Sequence, residues 1–203
     1  MMRKLAAAFL LLTLPFAAFG YNFSEGQNYV QLPQNFRKTA QPTLTEVYSI
    51  YCGHCYKWEK NLVQTVKQDM ARKKVVFNQA HIAYVAEYGD KVSKALLVAE
   101  KQGKLKAVKN ALFSSVHDEM AGDWTSDRQF FATLAKAGLS QKEFEKNVSN
   151  PELKNTFKLW EGYEQNVPST PSFIVNGRYL IKMDSLESFD QFYALIDYLL
   201  AQS

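Results

Sequence analysis

Cysteine is scarce in this chain: its 203 residues include two, Cys52 and Cys55. Two cysteines cannot staple a secreted domain of this length, so a disulfide-rich scaffold is excluded. The net charge is also small, +4 at pH 7, and it falls to +2 without residues 1–20. Such a mild excess favours neither nucleic acid nor an acidic surface as a partner, and we expect no nucleic-acid binding.

The chain has one long apolar run, which covers residues 5–16. It follows the basic Arg3 and Lys4 and precedes a small-x-small cleavage motif at 18–20. Because the run is shorter than the ~20 residues of a spanning helix, we interpret residues 1–20 as a secretory signal peptide that is removed, and a membrane anchor is the weaker alternative. The mature chain is then exported to a compartment where cysteines can be oxidised.

The two cysteines lie where a predicted strand gives way to a predicted helix. Thr43–Tyr51 is rich in β-branched and aromatic residues, and residues 56–70 combine helix formers with recurring apolar positions. Cys52 therefore opens the helix, where free N–H groups and the helix dipole favour a thiolate and lower the pKa of the thiol. Cys55, one turn further on, is expected to be the shielded resolving sulfur. This layout predicts a thiol–disulfide redox centre.

The residues between the cysteines affect the same thiolate. His54 places an imidazole beside it, and Gly53 leaves the turn flexible. A stabilised thiolate is a better leaving group and favours the reduced form, which shifts the pair toward being an oxidant. A zinc or metallochaperone site built on Cys52, His54 and Cys55 is an alternative, for which only His81 and His117 remain to complete the four ligands. We expect no metal.

The other strands are predicted from short β-rich runs. Residues 29–32 form a candidate edge strand, and residues 74–84 a strand parallel to the first, with His81 inside it as a hydrogen-bonded core residue. Residues 170–181 contain Asn-Gly between two apolar runs, which predicts a hairpin. Asp184-Ser185 is predicted to cap a last amphipathic helix.

Residues 90–166 have helical patterns only. We predict five helices there, near 90–102, 104–117, 126–137, 140–149 and 151–165. The expected caps are Ser126 with Gln129, Ser140 with Glu143, Gly138, and Asn150 before Pro151. Trp124 is expected to pack between helices. Lysines are expected mostly on solvated helix faces: Lys91, Lys94, Lys101, Lys104, Lys106 and Lys109.

Taken together, these features resemble the DsbA family of periplasmic thiol oxidoreductases over essentially the whole mature chain. The more specific signatures are Cys-x-x-Cys followed by Tyr56, and the stretch from Pro171 to Tyr179 with its Asn-Gly turn. The resemblance implies an α/β class protein: a thioredoxin fold built from 21–89 and 167–203, with an inserted all-helical subdomain at 90–166.

The resemblance also implies a substrate-binding site and a function. The Thr170–Pro171 peptide bond would be cis and close to the sulfurs, and the Thr170 backbone would bind an extended peptide. The enzyme would be a monomer that introduces disulfide bonds into newly exported, cysteine-containing proteins, without a soluble cofactor. A quinone-linked membrane protein of the DsbB type would re-oxidise it. A periplasmic reductase or isomerase is the alternative, and a non-catalytic peptide-binding chaperone is a third.

Two positions depart from the family pattern. Gly53 stands where proline is more common, and Cys-Gly-His-Cys is the motif of eukaryotic disulfide isomerases, which predicts a weaker oxidant than DsbA itself. Glu46 matches the family's buried acid, but neutral Gln79 stands where a lysine usually faces it. We therefore expect an unpaired Glu46 with a raised pKa that exchanges a proton with Cys55.

Overall fold

A computed structural model describes residues 20–36, 38–84, 86–119 and 123–202. Apart from Gly20, the predicted signal peptide lies outside the described residues. Within those ranges, no helix combines the length and apolar character that a bilayer-crossing segment needs.

Five strands in the described residues form one mixed sheet. They are β1 (Tyr29–Gln31), β2 (Thr43–Tyr48), β3 (Val76–His81), β4 (Ser172–Val175) and β5 (Tyr179–Ile181). Their order is β1-β5-β4-β2-β3, with β2 parallel to β3 and the other neighbours antiparallel. This confirms the predicted parallel pairing, the hairpin and the edge position of β1. Every residue of β2 is buried, as expected for an inner strand covered on both faces.

Eight α-helices accompany the sheet in the described part of the chain. They are α1 (Gly53–Asn61), α2 (Val63–Arg72), α3 (Gly89–Lys101), α4 (Leu105–His117), α5 (Asp127–Lys136), α6 (Gln141–Asn147), α7 (Pro151–Glu164) and α8 (Phe189–Ala201). One core cluster joins α1, α2 and α8 to the sheet through Trp58, Met70, Phe173 and Phe192. A second cluster joins α3–α7 to the sheet and encloses Cys55. Helix α1, which begins directly after Cys52, therefore contributes to both cores.

The helical block α3–α7 lies between β3 and β4 in the chain, as the sequence predicts. The Ser140 hydroxyl and the Glu143 side chain form a reciprocal capping box, and Asn150 caps α7 with Pro151 at its first position. Gly138 follows α5 with φ of +85°, a conformation that glycine adopts without strain. The buried Trp124 packs in the core, and its indole N–H donates to Thr133.

Three predictions of local structure are wrong in detail. The helix expected over 56–70 is two helices, because the backbone of Leu62 leaves the helical region with φ of −127°. The strand expected over 74–84 is shorter, since Lys74 and Tyr84 both adopt positive φ. Asp184-Ser185 belongs to a 3₁₀ turn (Met183–Ser185), and the N-cap of α8 is Ser188, whose hydroxyl accepts from the Gln191 N–H.

Candidate active site

Cys52 is the N-cap of α1. Its backbone is extended, and its sulfur accepts a hydrogen bond from the Cys55 backbone N–H at 3.1 Å. The sulfur thus occupies the position that a serine or aspartate oxygen takes at other helix starts, where free N–H groups await an acceptor. Cys52 is partly buried and Cys55 is fully buried, and both are free thiols.

The cis-proline loop meets the same sulfur. The Thr170–Pro171 peptide bond is cis, and the Thr170 carbonyl oxygen lies 3.3 Å from the Cys52 sulfur, which can donate to it as a thiol. On the other side of Thr170, the Tyr84 hydroxyl donates to the Thr170 hydroxyl at 3.1 Å. The structure thereby brings together residues that are 118 positions apart in the chain. Tyr84 was not singled out from the sequence, and it carried no motif that could have indicated this contact.

The two sulfurs have opposite electrostatic environments. Hydrogen bonding from the Cys55 thiol lowers the pKa of Cys52 to about 5, helped by the backbone N–H groups of Cys55 and His54 and opposed by burial. The same sulfur–sulfur hydrogen bond, together with burial, raises the pKa of Cys55 well above that of an ordinary thiol. The pair therefore holds one thiolate and one thiol at neutral pH, with the charge on the more accessible sulfur.

The residues between the cysteines occupy open positions. The side chain of His54 is exposed, and the contribution of His54 to the low pKa of Cys52 comes through its backbone N–H. Gly53 begins α1, and a Cβ added there would meet nothing within 4 Å. Space around the backbone therefore does not demand glycine at this position.

The carboxyl group of Glu46 is buried beside this centre, with 1% of the residue exposed. Gln79 faces it in the register of β2 and β3, and the Gln79 side-chain amide donates to the carboxylate at 2.9 Å. Burial raises the pKa of Glu46 to about 8, although the Gln79 hydrogen bond lowers it. The negative charge of Cys52 also raises it, which couples Glu46 to the redox pair.

Glu46 forms no ion pair in the described part of the chain, as expected, but the assignment of Lys109 to a solvated face is wrong. Lys109 is buried, and its ammonium group lies 2.7 Å from a carboxylate oxygen of Glu59 and 2.7 Å from the amide oxygen of Gln79. Cationic charge thus reaches the site from α4 instead of from β3. The sequence does contain a signal: Lys109 stands in line with Leu105, Leu112, Phe113 and Val116, on the apolar stripe of its helix.

The two histidines of the alternative zinc site have other partners. Buried His81 pairs through Nδ1 with the Ser93 hydroxyl at 2.7 Å, which confirms its core role, and burial lowers its pKa to about 3. The Nε2 of His117 donates to the Ile50 carbonyl at 2.8 Å. Among the described residues, no cluster of three or more histidine, cysteine or acidic side chains is arranged to hold a metal ion.

Comparison with known proteins gives consistent matches along the chain. The Thioredoxin family profile matches residues 37–198. The thiol:disulfide interchange protein DsbL of Lelliottia amnigena is 31% identical over 202 residues, covering 91% of this chain and 89% of that protein. DsbA of Pectobacterium carotovorum subsp. carotovorum is 28% identical, with coverage of 92% and 90%. The crystal structure of Salmonella enterica serovar Typhimurium DsbL matches with a TM-score of 0.75 at 28% identity, covering 91% of this chain and all of that one.

A thiol pair of unequal acidity at the start of a helix, on a thioredoxin-type sheet and next to a cis-proline, defines a thiol:disulfide oxidoreductase. The helical block between β3 and β4 restricts this class to oxidoreductases that carry a helical insertion in the thioredoxin-type fold. The chain belongs to the thioredoxin family and, within it, to the DsbA and DsbL group of thiol:disulfide interchange proteins.

Proposed function

We propose that this protein is a periplasmic dithiol oxidase that introduces disulfide bonds into newly exported proteins. The observation that carries the proposal is the opposite shift of the two thiols: the pKa of Cys52 is lowered to about 5, and that of Cys55 is raised. A stable Cys52 thiolate favours the reduced enzyme, so electrons flow from substrate thiols to the enzyme.

The reaction begins when a substrate thiolate attacks the sulfur of Cys52 in the disulfide form. A bond forms between the substrate sulfur and Cys52, and Cys55 leaves as a thiolate that takes up a proton. A second substrate thiolate then attacks the first substrate sulfur, and Cys52 departs as a thiolate, which its low pKa makes a good leaving group. The substrate has lost two electrons and gained a disulfide, and the enzyme dithiol has received both electrons.

Glu46 is the proposed proton donor for the departing Cys55. With a pKa of about 8, its carboxyl group is protonated at neutral pH and can lose a proton near that pH. Its burial and its electrostatic coupling to Cys52 support this role. On re-oxidation the proton moves in the opposite direction.

Thr170 and Pro171 are the proposed peptide-binding residues. The Thr170 carbonyl lies 3.3 Å from the Cys52 sulfur, so a peptide paired with this backbone would present its cysteine to the attacked sulfur. Backbone pairing of this kind gives affinity without selecting a sequence, which suits an enzyme with many unfolded substrates. In this proposal the incoming chain passes Gly53, which has no side chain, and the exposed His54.

Turnover requires an external oxidant. We assign this role to a quinone-linked membrane oxidoreductase of the DsbB type, and the signal-like residues 1–20 together with the DsbA and DsbL relatives support a periplasmic location. The proposed enzyme acts as a monomer.

The decisive experiment measures the equilibrium of the Cys52–Cys55 pair with glutathione and compares two activities of the same preparation. We expect rapid oxidation of a reduced, unfolded test protein and slow reduction of insulin. The Cys55→Ala variant should accumulate the mixed disulfide on Cys52, and Cys52→Ala should be inactive while remaining folded. A strongly reducing potential with fast insulin reduction would instead assign the reductase or isomerase alternative.

A further inference from the structure

Lys109 is a lysine in an unusual environment for this residue type. Its side chain is 6% exposed, and that of its partner Glu59 is 16% exposed. A lysine buried to this degree requires a compensating partner, because moving its charge out of water is costly. Lys109 belongs to α4 of the helical block, whereas Glu59 belongs to the redox helix α1. The ion pair therefore links the two parts of the fold next to the active site.

The contacts of Lys109 determine the orientation of the Gln79 amide. An ammonium group can only donate hydrogen bonds, so the Gln79 oxygen that lies 2.7 Å from it must be the acceptor. The amide NH₂ of Gln79 then faces the other way, where it donates to Glu46 at 2.9 Å and to Glu59 at 3.0 Å. If the amide were reversed, an oxygen would face two carboxyl groups. Lys109 thus secures a donor for the buried Glu46.

The charges around Glu46 act in opposite directions. Glu59 and the Cys52 thiolate both disfavour a negative charge on Glu46, whereas Lys109 and the Gln79 amide favour it. Tyr48 lies on the same face of β2 as Glu46, and the centre of its ring is 5.8 Å from the Lys109 ammonium group. Tyr48 carries no charge at neutral pH, because burial raises its pKa. Among these groups that shift the pKa of Glu46, Lys109 is the cation.

We propose that Lys109 is a positioning residue of the redox centre: acting through Gln79 and Glu59, it is the cation by which the helical block sets the protonation of Glu46. In the proposed function, Glu46 donates this proton to Cys55. The catalytic importance of Lys109 rests on that proposed function. A lysine that only fastens α4 to α1 would stabilise the fold without shifting the Glu46 titration in a defined direction.

The test is the titration of the Glu46 carboxyl carbon by ¹³C NMR in the disulfide form, where neither thiol titrates. The resonance is assigned with a Glu46→Gln variant. In Lys109→Met we expect the Glu46 midpoint to rise by about one pH unit, and in Glu59→Gln we expect it to fall by a similar amount. Lys106→Met, which removes an exposed lysine from the same helix, should leave the midpoint unchanged.

Opposite shifts in the two variants would support the proposal, because loss of packing alone does not reverse sign with the charge removed. Equal shifts in the same direction, or no shift, would overturn it. If Lys109→Met does not fold, Lys109→Gln, which removes the charge but keeps a polar side chain, should show the same rise, and an unchanged midpoint there would refute the inference. The NMR titration does not depend on activity. Opposite shifts with an unchanged rate of thiol oxidation would reject Glu46 as the proton donor and retain Lys109 as the residue that sets its charge.

Discussion

The low pKa of Cys52 predicts that the reduced protein is more stable than the disulfide form, and that this advantage is lost in acid. The perturbation is a change of pH from 7 to 4 applied to both redox forms. In the reduced form the folded pKa of about 5 lies below the ~8.5 of an unfolded thiol. A depressed pKa contributes stability that is complete above the unfolded value and is lost as the pH falls through the folded value. The disulfide form has no such contribution.

The magnitude follows from the two pKa values. At pH 7 a thiol shifted from ~8.5 to about 5 stabilises the folded reduced state by at most about 2.7 kcal/mol. Because Cys52 is only partly buried, solvent screens its interactions, and we expect about 1–2 kcal/mol. For a two-electron couple this raises the reduction potential by roughly 20–45 mV.

The assay is urea unfolding of the reduced and disulfide forms at pH 7, 6, 5 and 4, followed by tryptophan fluorescence. Glu46 is present in both forms, so most of its own titration cancels in the difference. We expect the stability difference between reduced and disulfide protein to decrease by about 1–2 kcal/mol from pH 7 to 4. Compared with the reduced wild-type protein, a Cys52→Ser variant, which can form neither the thiolate nor the disulfide, should lack this part of the stability loss on acidification. A difference that is constant with pH, or that grows on acidification, would refute the reasoning.

Three substitutions test other parts of the structure. Gly53→Pro places proline at the first position of α1, where a Cβ meets nothing within 4 Å and the extended Cys52 backbone suits a following proline. We expect a folded protein whose equilibrium with glutathione indicates a reduction potential raised by up to ~60 mV. A wild-type potential already at or above about −120 mV would contradict the assumed effect of glycine. Between about pH 4.5 and 8, Glu46 ionises in the unfolded chain but not in the folded one, so its raised pKa costs stability as the pH rises. In urea unfolding, Glu46→Gln should flatten the dependence of the unfolding free energy on pH and be more stable than the wild type at pH 8 by up to about 4 kcal/mol. Parallel pH profiles of the two proteins would exclude a raised pKa. Ser188→Ala removes the N-cap of α8 and should cost about 1 kcal/mol in urea unfolding with no change in thiol oxidation, and a negligible loss would show that the cap is dispensable.

The sequence was most informative where a local pattern alone determines the structure. The Asn-Gly dipeptide predicted the β4–β5 turn, in which both residues adopt positive φ. Cys52 was predicted at a helix start because a strand pattern ends and a helix pattern begins around it, and its sulfur is the cap. The cis bond before Pro171 could not be derived from any local pattern. It was expected only from the family resemblance, and the structure confirms it.

The charge network was predicted least well, because its members come from separate elements. The position of Gln79 opposite Glu46 was expected from the family resemblance, and the register of β2 and β3 confirms it. Lys109 was misassigned since a lysine within a helix is usually solvated, and nothing local reveals that Glu59 lies across from it. The available signal was the position of Lys109 on the apolar stripe of α4. A lysine buried at that position needs a buried anion as its partner.

The helical block holds the redox motif in position as well as supplying its cation. His117, the last residue of α4, donates to the Ile50 carbonyl at 2.8 Å, two residues before the first cysteine. The hydroxyl of Tyr51 donates to Asp123 at 3.0 Å. Together with the Lys109 ion pair, these contacts attach the block to the chain on both sides of the cysteines. A substitution that loosens the block should therefore change the equilibrium of the Cys52–Cys55 pair with glutathione, since the geometry and the charge of the site depend on the same contacts.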